Sequence, residues 1–283
     1  SRGLGDVYKR QVIRKLGATK PNILVFQGSP RREDSCAGQK PKSQKIIEWM
    51  LEEYSPFINF EVVDLSVDKV KIQPCKGCIS TSGGFHCHWS CSCFKKGSED
   101  YPDLMYEADI YTKLEECDGF IVVSPIHWYS VSTQVKAMFD RLVCANLTIT
   151  QSEAIQLFGE GNIKNPELTG KAELSEKYKG MLKNHLEGKI AAFYVHGDNG
   201  ANDYNNSQPN IGDYVWNVRD CVMPIVYQCR YSGMIAPDEL VEAFYINEGK
   251  PYFEGNMIDN KEMKIRMEGL LEKLLDTINK KGM

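Results

Sequence analysis

Short, continuous apolar runs recur along the chain, and amphipathic segments separate them. A parallel strand that is buried on both faces has this continuous apolar character. Four such runs predict strands at residues 23–26, 60–65, 119–124 and 189–195, and residues 231–235 predict a short fifth strand. The pattern is typical of a sheet that is covered on both sides.

Helical spacing of apolar residues marks the segments between and after these strands. The predicted helices cover residues 44–54, 104–116, 132–144, 212–228 and 262–279. Ser43 precedes the first helix and is predicted to be its N-cap. Asp140 and Arg141 lie on the third helix, where we expect a structural ion pair. The alternation of strands and helices predicts an α/β fold, a doubly wound parallel sheet with its ligand at the carboxyl ends of the strands.

Two stretches do not follow the alternation. Residues 72–102 hold half of the ten cysteines, and residues 147–188 are polar and longer than an ordinary crossover. We interpret the first as a Cys-rich excursion and the second as an insertion with some helix near residues 173–186. Because neither a repeat nor a linker divides the chain, we predict a single domain over residues 19–283.

The first residues and the overall composition predict a leader segment and a cellular location, and they argue against one class of partner. Residues 6–11 read DVYKRQ, the translation of a transposase adapter used for sequencing libraries, so we expect residues 1–18 to be a non-native or disordered leader. With no secretion signal and no apolar run of membrane-spanning length, we expect a cytoplasmic protein whose cysteines are thiols or ligands. The 34 basic and 38 acidic residues give a net charge of −4 without a basic block, which argues against nucleic acid as a partner.

The loop after the first predicted strand has the chemistry of a phosphate site. It reads Gly-Ser-Pro-Arg at residues 28–31 and leads to a helix, whose N-terminus presents backbone N–H groups at the positive end of the helix dipole. The hydroxyl of Ser29 and the guanidinium of Arg31 add further donors. The loop lacks the glycine patterns of nucleoside triphosphate and dinucleotide sites, and it therefore predicts a site for one phosphate monoester, such as that of FMN.

Two further loops are expected beside it, because the carboxyl ends of parallel strands meet at one edge. The third strand runs into Pro125, Ile126, His127, Trp128 and Tyr129, and the fourth into His196, Gly197 and Asp198. A flavin needs a phosphate site, an aromatic or apolar wall, and donors for its ring oxygens and N5. The three loops offer these features in order.

Taken together, the segments ILVFQGSPR, SPIHWYSVSTQVKAMFDRL and VHGDNG resemble the flavodoxin-like NAD(P)H-dependent FMN reductases. Within that family they are similar to the branch with a cysteine-rich CHW-C-C stretch and a DRLVCAN sequence. The resemblance covers residues 22–233. It implies a five-stranded sheet in the order 2-1-3-4-5, bound FMN, NAD(P)H as co-substrate, and a homodimer or homotetramer.

The resemblance also implies which residues contact the phosphate. Ser29 and Arg31 are expected there, with Ser43 and Gln44 at the start of the helix. Simple members of the family pass from GSPR to this helix in a few residues, whereas REDSCAGQKPK intervenes here. It stays open whether Ser35 or Ser43 reaches the phosphate.

For the flavin ring, the resemblance places residues 125–129 along the isoalloxazine and residues 196–198 near its pyrimidine side. Trp128 and Tyr129 have a second interpretation as aromatic residues of a dimer interface. His127 is a weak catalytic candidate, because hydride transfer through a flavin needs no protein acid, and Asp198 has an alternative role as a cap.

The Cys-rich excursion has the ligand types of a metal site. Five thiols and two imidazoles fall within nineteen positions: Cys75, Cys78, His86, Cys87, His88, Cys91 and Cys93. Thiolate and imidazole suit zinc, and four thiolates suit an iron–sulfur cluster, but the spacing matches neither. Free thiols packed near the flavin, a structural zinc and an iron–sulfur cluster all remain open.

These features favour an FMN-dependent oxidoreductase that passes hydride from NAD(P)H to flavin and on to a small acceptor: a quinone, a nitro or azo compound, or free flavin. The alternatives are a flavodoxin-like or iron–sulfur flavoprotein electron carrier, and a flavin-free protein that kept the fold. Carriers are usually strongly acidic, which a net charge of −4 supports only weakly.

Overall fold

The computed structural model describes residues 19–32, 40–198, 218–246 and 261–282. The strands are β1 (Asn22–Gln27), β2 (Asn59–Asp64), β3 (His88–Trp89), β4 (Gly119–Pro125), β5 (Ile149–Thr150), β6 (Ile190–Asp198) and β7 (Val241–Ile246). The α-helices are α1 (Lys42–Tyr54), α2 (Ile79–Ser82), α3 (Leu104–Glu107), α4 (Ile110–Glu116), α5 (Thr133–Arg141), α6 (Gln151–Phe158), α7 (Pro166–Glu173), α8 (Met223–Tyr231) and α9 (Lys261–Lys281). Residues 1–18 lie outside the described residues, so the leader stays a prediction.

Five strands form the central sheet in the order β2-β1-β4-β6-β7, and every neighbouring pair is parallel. Counted along this sheet alone, the order is 2-1-3-4-5, as the resemblance implied. The flavodoxin-like, doubly wound α/β fold is therefore confirmed.

Alternate residues of the buried strands contribute to different hydrophobic clusters, because successive side chains point to opposite faces of a sheet. On one face, Leu24 and Phe26 share a cluster with residues of α4, α5 and α8. On the other face, Ile23 and Val25 share a cluster with residues of α1 and α9. Helices therefore cover both faces, which explains why these strands read as unbroken apolar runs.

The predicted position of the fifth strand is wrong. Tyr231 ends α8, Gly233 follows with a φ of 77°, and Ile235 forms only an isolated parallel bridge with Ile190. The strand of the sheet is β7, where Val241 and Phe244 are buried. The residues around a glycine that ends a helix can be apolar, and such a segment then has the same short apolar pattern as a strand.

Several predicted helices are divided or displaced. The helix predicted at 104–116 is two helices, because Asp109 between them has a φ of 54°. Of the helix predicted at 212–228, residues 212–217 lie outside the described residues, and α8 ends three residues later than predicted. The insertion has its α-helices, α6 and α7, ahead of residues 173–186, where a 3-10 segment follows instead.

The Cys-rich excursion and the insertion pack against each other. Strands β3 and β5, one from each stretch, form a small parallel sheet. Phe85 of the excursion shares a hydrophobic cluster with Ile149, Ala154 and Ala172 of the insertion. The two stretches that the sequence pattern set apart are thus partners in one layer.

A buried ion pair joins the excursion to the rest of the fold. The Arg141 guanidinium at the end of α5 donates two hydrogen bonds to the Asp103 carboxylate, at 2.8 and 3.0 Å, and both side chains are 0% exposed. It also donates to the Gln73 carbonyl oxygen at 2.9 Å and to the Tyr111 hydroxyl at 3.3 Å, and it lies over the Phe94 ring. The structural role expected for Arg141 is confirmed. Its neighbour Asp140 pairs with Lys136 at the surface.

No helix in the described part of the chain is both long enough and apolar enough to cross a membrane.

We predict that Asp103→Asn lowers the free energy of unfolding by about 3–5 kcal/mol, because it leaves the Arg141 charge buried without its partner. Urea denaturation followed by circular dichroism measures this change. The matched control is Asp140→Asn, which removes an exposed pair and should cost less than about 1 kcal/mol. The double variant Asp103→Leu/Arg141→Met should recover most of the loss. Equal effects of the two single variants would contradict the structural role of the buried pair.

Candidate functional site

The carboxyl ends of β1, β4 and β6 lie side by side, as parallel pairing requires. In the sheet register Gln27 of β1 pairs with Val123 of β4, and Pro125 pairs with His196 of β6. The amide of Ile126 donates to the His196 carbonyl oxygen at 2.7 Å. The starts of the loops after β1 and β4 therefore meet the end of β6 at one edge.

The loop after β1 is held by its own polar groups. The amide of Ser29 donates to the Gln27 side-chain oxygen at 2.5 Å, and the amide of Arg31 donates to the Ser29 hydroxyl at 3.3 Å. The Arg31 guanidinium donates to the Lys40 carbonyl oxygen at 3.1 Å. Arg31 thus lies next to the residues that lead into α1. Ser35 lies outside the described residues.

Gly28 is required by a close approach of this loop to α5. A Cβ atom at this position would lie 2.5 Å from Val135 Cγ2 and 3.1 Å from the Val123 carbonyl oxygen. The amide of Gly28 also donates to that carbonyl at 2.8 Å. Only glycine allows the loop to leave the sheet so close to the neighbouring helix.

The predicted N-cap role of Ser43 is wrong. Helix α1 begins at Lys42 with Pro41 as its N-cap, and no side chain of a described residue caps it. Ser43 lies one residue inside the helix, and its hydroxyl forms a 2.9 Å hydrogen bond with His196 Nε2 at the end of β6. An N-cap hydroxyl accepts a hydrogen bond from a backbone amide in the first turn of its helix. The Ser43 hydroxyl instead bonds to the buried His196 side chain of the sheet.

Ser43 and His196 are both buried, so their hydrogen bond joins the start of α1 to β6. Burial lowers the pKa of His196 to about 3, and the nearby Lys42 charge adds to this effect. The imidazole is therefore neutral at physiological pH. The Gln44 side chain donates to Glu48 along the helix at 3.0 Å.

The start of α1 has the character of an anion site. Its first turn contains no acidic residue, and a helix N-terminus presents N–H groups at the positive end of the helix dipole, which favours an anion. Arg31 lies beside these groups through its bond to the Lys40 carbonyl.

The loop after β4 forms a tight turn that displays two aromatic side chains. Ile126 and Val131 form an antiparallel bridge, and the amide of His127 donates to the Ser130 carbonyl oxygen at 2.7 Å. Trp128 and Tyr129 between them have φ angles of 52° and 64°. Two central residues with positive φ characterise the type I′ turn, which favours Asn and Gly.

This turn opposes the intrinsic preference of its residues. A left-handed conformation costs about 1–2 kcal/mol for an L-residue with a Cβ atom. Trp128 is 89% exposed and Tyr129 is 64% exposed, so burial of the rings within the described structure offsets little of this cost. Strained backbone that presents exposed side chains is typical of a binding site. His127 is also exposed.

One residue beside this loop was missed by the sequence analysis. Gln134 lies in the first turn of α5, and its buried Oε1 has no hydrogen-bond partner among the described residues. Ser132 caps the same helix by accepting from the Val135 amide at 3.3 Å. A glutamine at this position carries no sequence signal of its own, whereas a buried acceptor without a partner suits a ligand with an N–H donor.

The third loop begins at the end of β6. Gly197 and Asp198 are the last two residues of the strand, where they pair with Tyr245 and Ile246 of β7. Residues 199–217, which continue this loop, lie outside the described residues. The roles assigned to Gly197 and Asp198 stay predictions.

The cysteines of the excursion do not assemble with the imidazoles. His86 forms a 3.0 Å hydrogen bond with the Thr169 hydroxyl, and His88 bonds to Ser92 at 2.6 Å and to the Phe85 carbonyl at 3.1 Å. Within the described ranges, no group of three or more Cys, His, Asp or Glu side chains is arranged to hold a metal ion. The metal role of Cys75, Cys78, Cys87, Cys91 and Cys93 stays a prediction without a ligand set in its support.

Two of these thiols are in direct contact. Cys78 Sγ and Cys93 Sγ lie 3.0 Å apart, and both residues are half-buried. Their hydrogen bond lowers the pKa of Cys78 and raises that of Cys93, and the Lys164 ammonium beside Cys78 acts in the same direction on Cys78. Burial raises the pKa of the Cys87 thiol to about 12.

Comparison with known proteins identifies the family. Residues 21–171 match the family model of the NADPH-dependent FMN reductases, and the chain belongs to this family. It is therefore a flavoprotein oxidoreductase by family, and FMN with a nicotinamide nucleotide agrees with the cofactor and co-substrate expected above.

Two similar proteins show how far the likeness extends. An iron-sulfur flavoprotein of Methanosarcina thermophila is 29% identical over 121 residues, which are 43% of this chain and 52% of that protein. The match thus spans about half the length of this curated relative. The solved structure of RosB with bound 8-demethyl-8-formylriboflavin-5′-phosphate has a TM-score of 0.54 at 12% identity, and the alignment covers 93% of this chain and 82% of that one. This second likeness concerns the fold.

The residues of this edge fit FMN. The start of α1, whose first turn has no acidic residue, and the Arg31 guanidinium suit a phosphate. The exposed Trp128 and Tyr129 rings suit a planar ring system, and the Gln134 oxygen suits a ring N–H donor.

We predict that the double variant Trp128→Asn/Tyr129→Gly is more stable than the wild type by about 1–2 kcal/mol, because it relieves the left-handed strain of the turn. Urea denaturation of flavin-free protein measures the change. The matched control Trp128→Ala/Tyr129→Ala removes the rings but keeps Cβ atoms in the turn, and it should gain no stability. A loss of stability in the Asn-Gly variant would show that the rings support the fold rather than a ligand.

Proposed function

We propose that this protein takes hydride from NADPH or NADH and reduces a small organic acceptor, such as a quinone, a nitro or azo compound, or free flavin. The observation that carries the proposal is the exposed, strained aromatic turn at Trp128 and Tyr129 beside the phosphate-type loop. A planar acceptor and a nicotinamide ring can both stack on aromatic side chains.

Bound FMN would supply the redox chemistry, accepting hydride and passing electrons to the acceptor. The protein's own residues bind and orient. We assign Arg31, with Ser29, to the phosphate. Ser43 and His196 hold the start of α1 against β6 through their 2.9 Å hydrogen bond. Trp128 and Tyr129 form the wall on which the ring and the acceptor lie.

An electron carrier is the rival hypothesis, and the name of the iron-sulfur flavoprotein relative would suit it. A carrier of that kind needs a set of thiolate ligands, and the cysteines of the described residues do not form one. We therefore favour the enzyme.

We further propose that the protein acts in the cytoplasm as a homodimer or homotetramer. Light scattering would measure the size of this assembly.

The absorption spectrum tests this function directly. We expect the purified protein, or the protein reconstituted with FMN, to absorb near ~450 nm as flavin-loaded proteins do. Anaerobic addition of NADPH or NADH should bleach this band, and menadione should restore it with turnover. Bleaching by dithionite alone would favour the carrier. A colourless protein that takes up no FMN in calorimetry would eliminate both.

We predict that Arg31→Ala weakens FMN binding by about 1.5–3 kcal/mol, which is roughly ten- to a hundred-fold in Kd, because a charge-assisted contact to phosphate is lost. Fluorescence titration with FMN and with riboflavin separates the contribution of the phosphate to the affinity from that of the ring. Riboflavin lacks the phosphate, so its affinity should be unchanged in the variant.

The neighbouring Arg32 provides the matched control, because its guanidinium pairs with Asp68 in the segment after β2. Arg32→Ala removes the same charge and should leave the preference for FMN over riboflavin largely intact. An equal loss in both variants would mean that a general positive field, rather than Arg31, binds the phosphate.

A further inference from the structure

The sulfur atoms of Cys78 and Cys93 lie close enough to form a disulfide after a small movement. Their sulfur atoms are 3.0 Å apart although fifteen residues separate them in the chain. A disulfide has an S–S distance of about 2.05 Å. The two sulfurs therefore need to approach each other by only about 1 Å to form the bond.

The surroundings of the pair distinguish its two members. In addition to the contact with Cys93, the Lys164 ammonium lowers the pKa of the Cys78 thiol. This ammonium also donates to the His86 carbonyl oxygen at 2.8 Å. The proximity of Cys78 and Cys91 raises the pKa of the Cys93 thiol. A sulfur beside a fixed ammonium is the better nucleophile, because the positive charge stabilises its anionic form.

Access to solvent separates the pair from the two buried thiols nearby. Cys78 and Cys93 are half-buried, as is Cys75, whereas Cys87 and Cys91 are buried. A small oxidant in solution can therefore reach the pair, and the buried thiols are protected.

We propose that Cys78 and Cys93 are a redox-active thiol pair that reacts with low-molecular-weight disulfides to form an internal disulfide. This site is independent of the flavin site proposed above. The Cys78 sulfur attacks one sulfur of the small disulfide and releases the first small thiol. The Cys93 sulfur then attacks Cys78 and releases the second. Two protein thiols are oxidised, one small disulfide is reduced, and the two thiol protons leave with the two released thiols.

The test uses the full chain, first reduced and then treated with glutathione disulfide as the probe. Free thiols counted under denaturing conditions should fall by two from the ten of the reduced chain. Cleavage with chymotrypsin after Phe85, Trp89 and Phe94 should then yield a peptide that contains Cys75 and Cys78 linked to one that contains Cys91 and Cys93. Reduction should separate them. No flavin is needed, so this result and the flavin tests are independent.

Single substitutions identify the partners. Cys93→Ser should stop the reaction at a mixed disulfide between Cys78 and glutathione, and Cys78→Ser should abolish the linked peptides. The matched controls Cys75→Ser and Cys91→Ser, from the same excursion, should form the link as the wild type does.

Three results would overturn the proposal: no linked peptides in the wild type, a link that requires Cys75 or Cys91, or one equivalent of zinc or iron in the purified protein that Cys78→Ser loses. The peptide map of the wild type decides the first point even if a variant does not fold.

Discussion

The whole arrangement depends on parallel pairing of the five central strands. Because each strand enters the sheet from the same side, the loops that follow β1, β4 and β6 must leave at one edge. The register places Pro125 beside His196, and a backbone hydrogen bond from Ile126 continues this pairing beyond the strand. A phosphate-type loop and an aromatic turn thus become neighbours although more than ninety positions separate them in the chain.

Helix α5 connects this edge with the outer layer of the molecule. It begins at Thr133 with Ser132 as its N-cap, shortly after the aromatic turn, and its Val135 side chain packs where only glycine fits in the loop after β1. At its other end Arg141 is buried against Asp103, directly after the Cys-rich excursion, and it donates to the Gln73 carbonyl oxygen within that excursion. Separating the two partners of a buried ion pair costs free energy, because each partner would then be a buried charge without compensation. The excursion and the insertion packed on it are therefore anchored to the helix that also supports the site.

Much of this architecture could be predicted from local patterns. Continuous apolar runs identified β1, β4 and β6, because a strand buried on both faces needs apolar residues at every position. The position of β2 was also predicted correctly, although this strand lies at the sheet edge and most of its residues are exposed. The loop residues Ser29 and Arg31 were found by their chemistry at the end of such a run. The fifth strand was missed because Gly233 and its apolar neighbours resemble a strand, whereas β7 lies at the sheet edge and Glu242 interrupts its apolar residues. Ser43 was misjudged because a cap is assigned from neighbours in sequence, and its partner His196 is 153 residues away.

The sequence by itself determined the class of fold, the order of the loops and their kinship with the FMN reductases, because periodicity and short motifs are local properties. Only the tertiary structure decided which groups meet. It joined Ser43 to His196, buried Arg141 against Asp103, paired the imidazoles of the excursion with the hydroxyls of Thr169 and Ser92, and brought Cys78 and Cys93 into contact. Such contacts depend on distances between remote segments, which are set by packing and strand register rather than by any pattern along the chain.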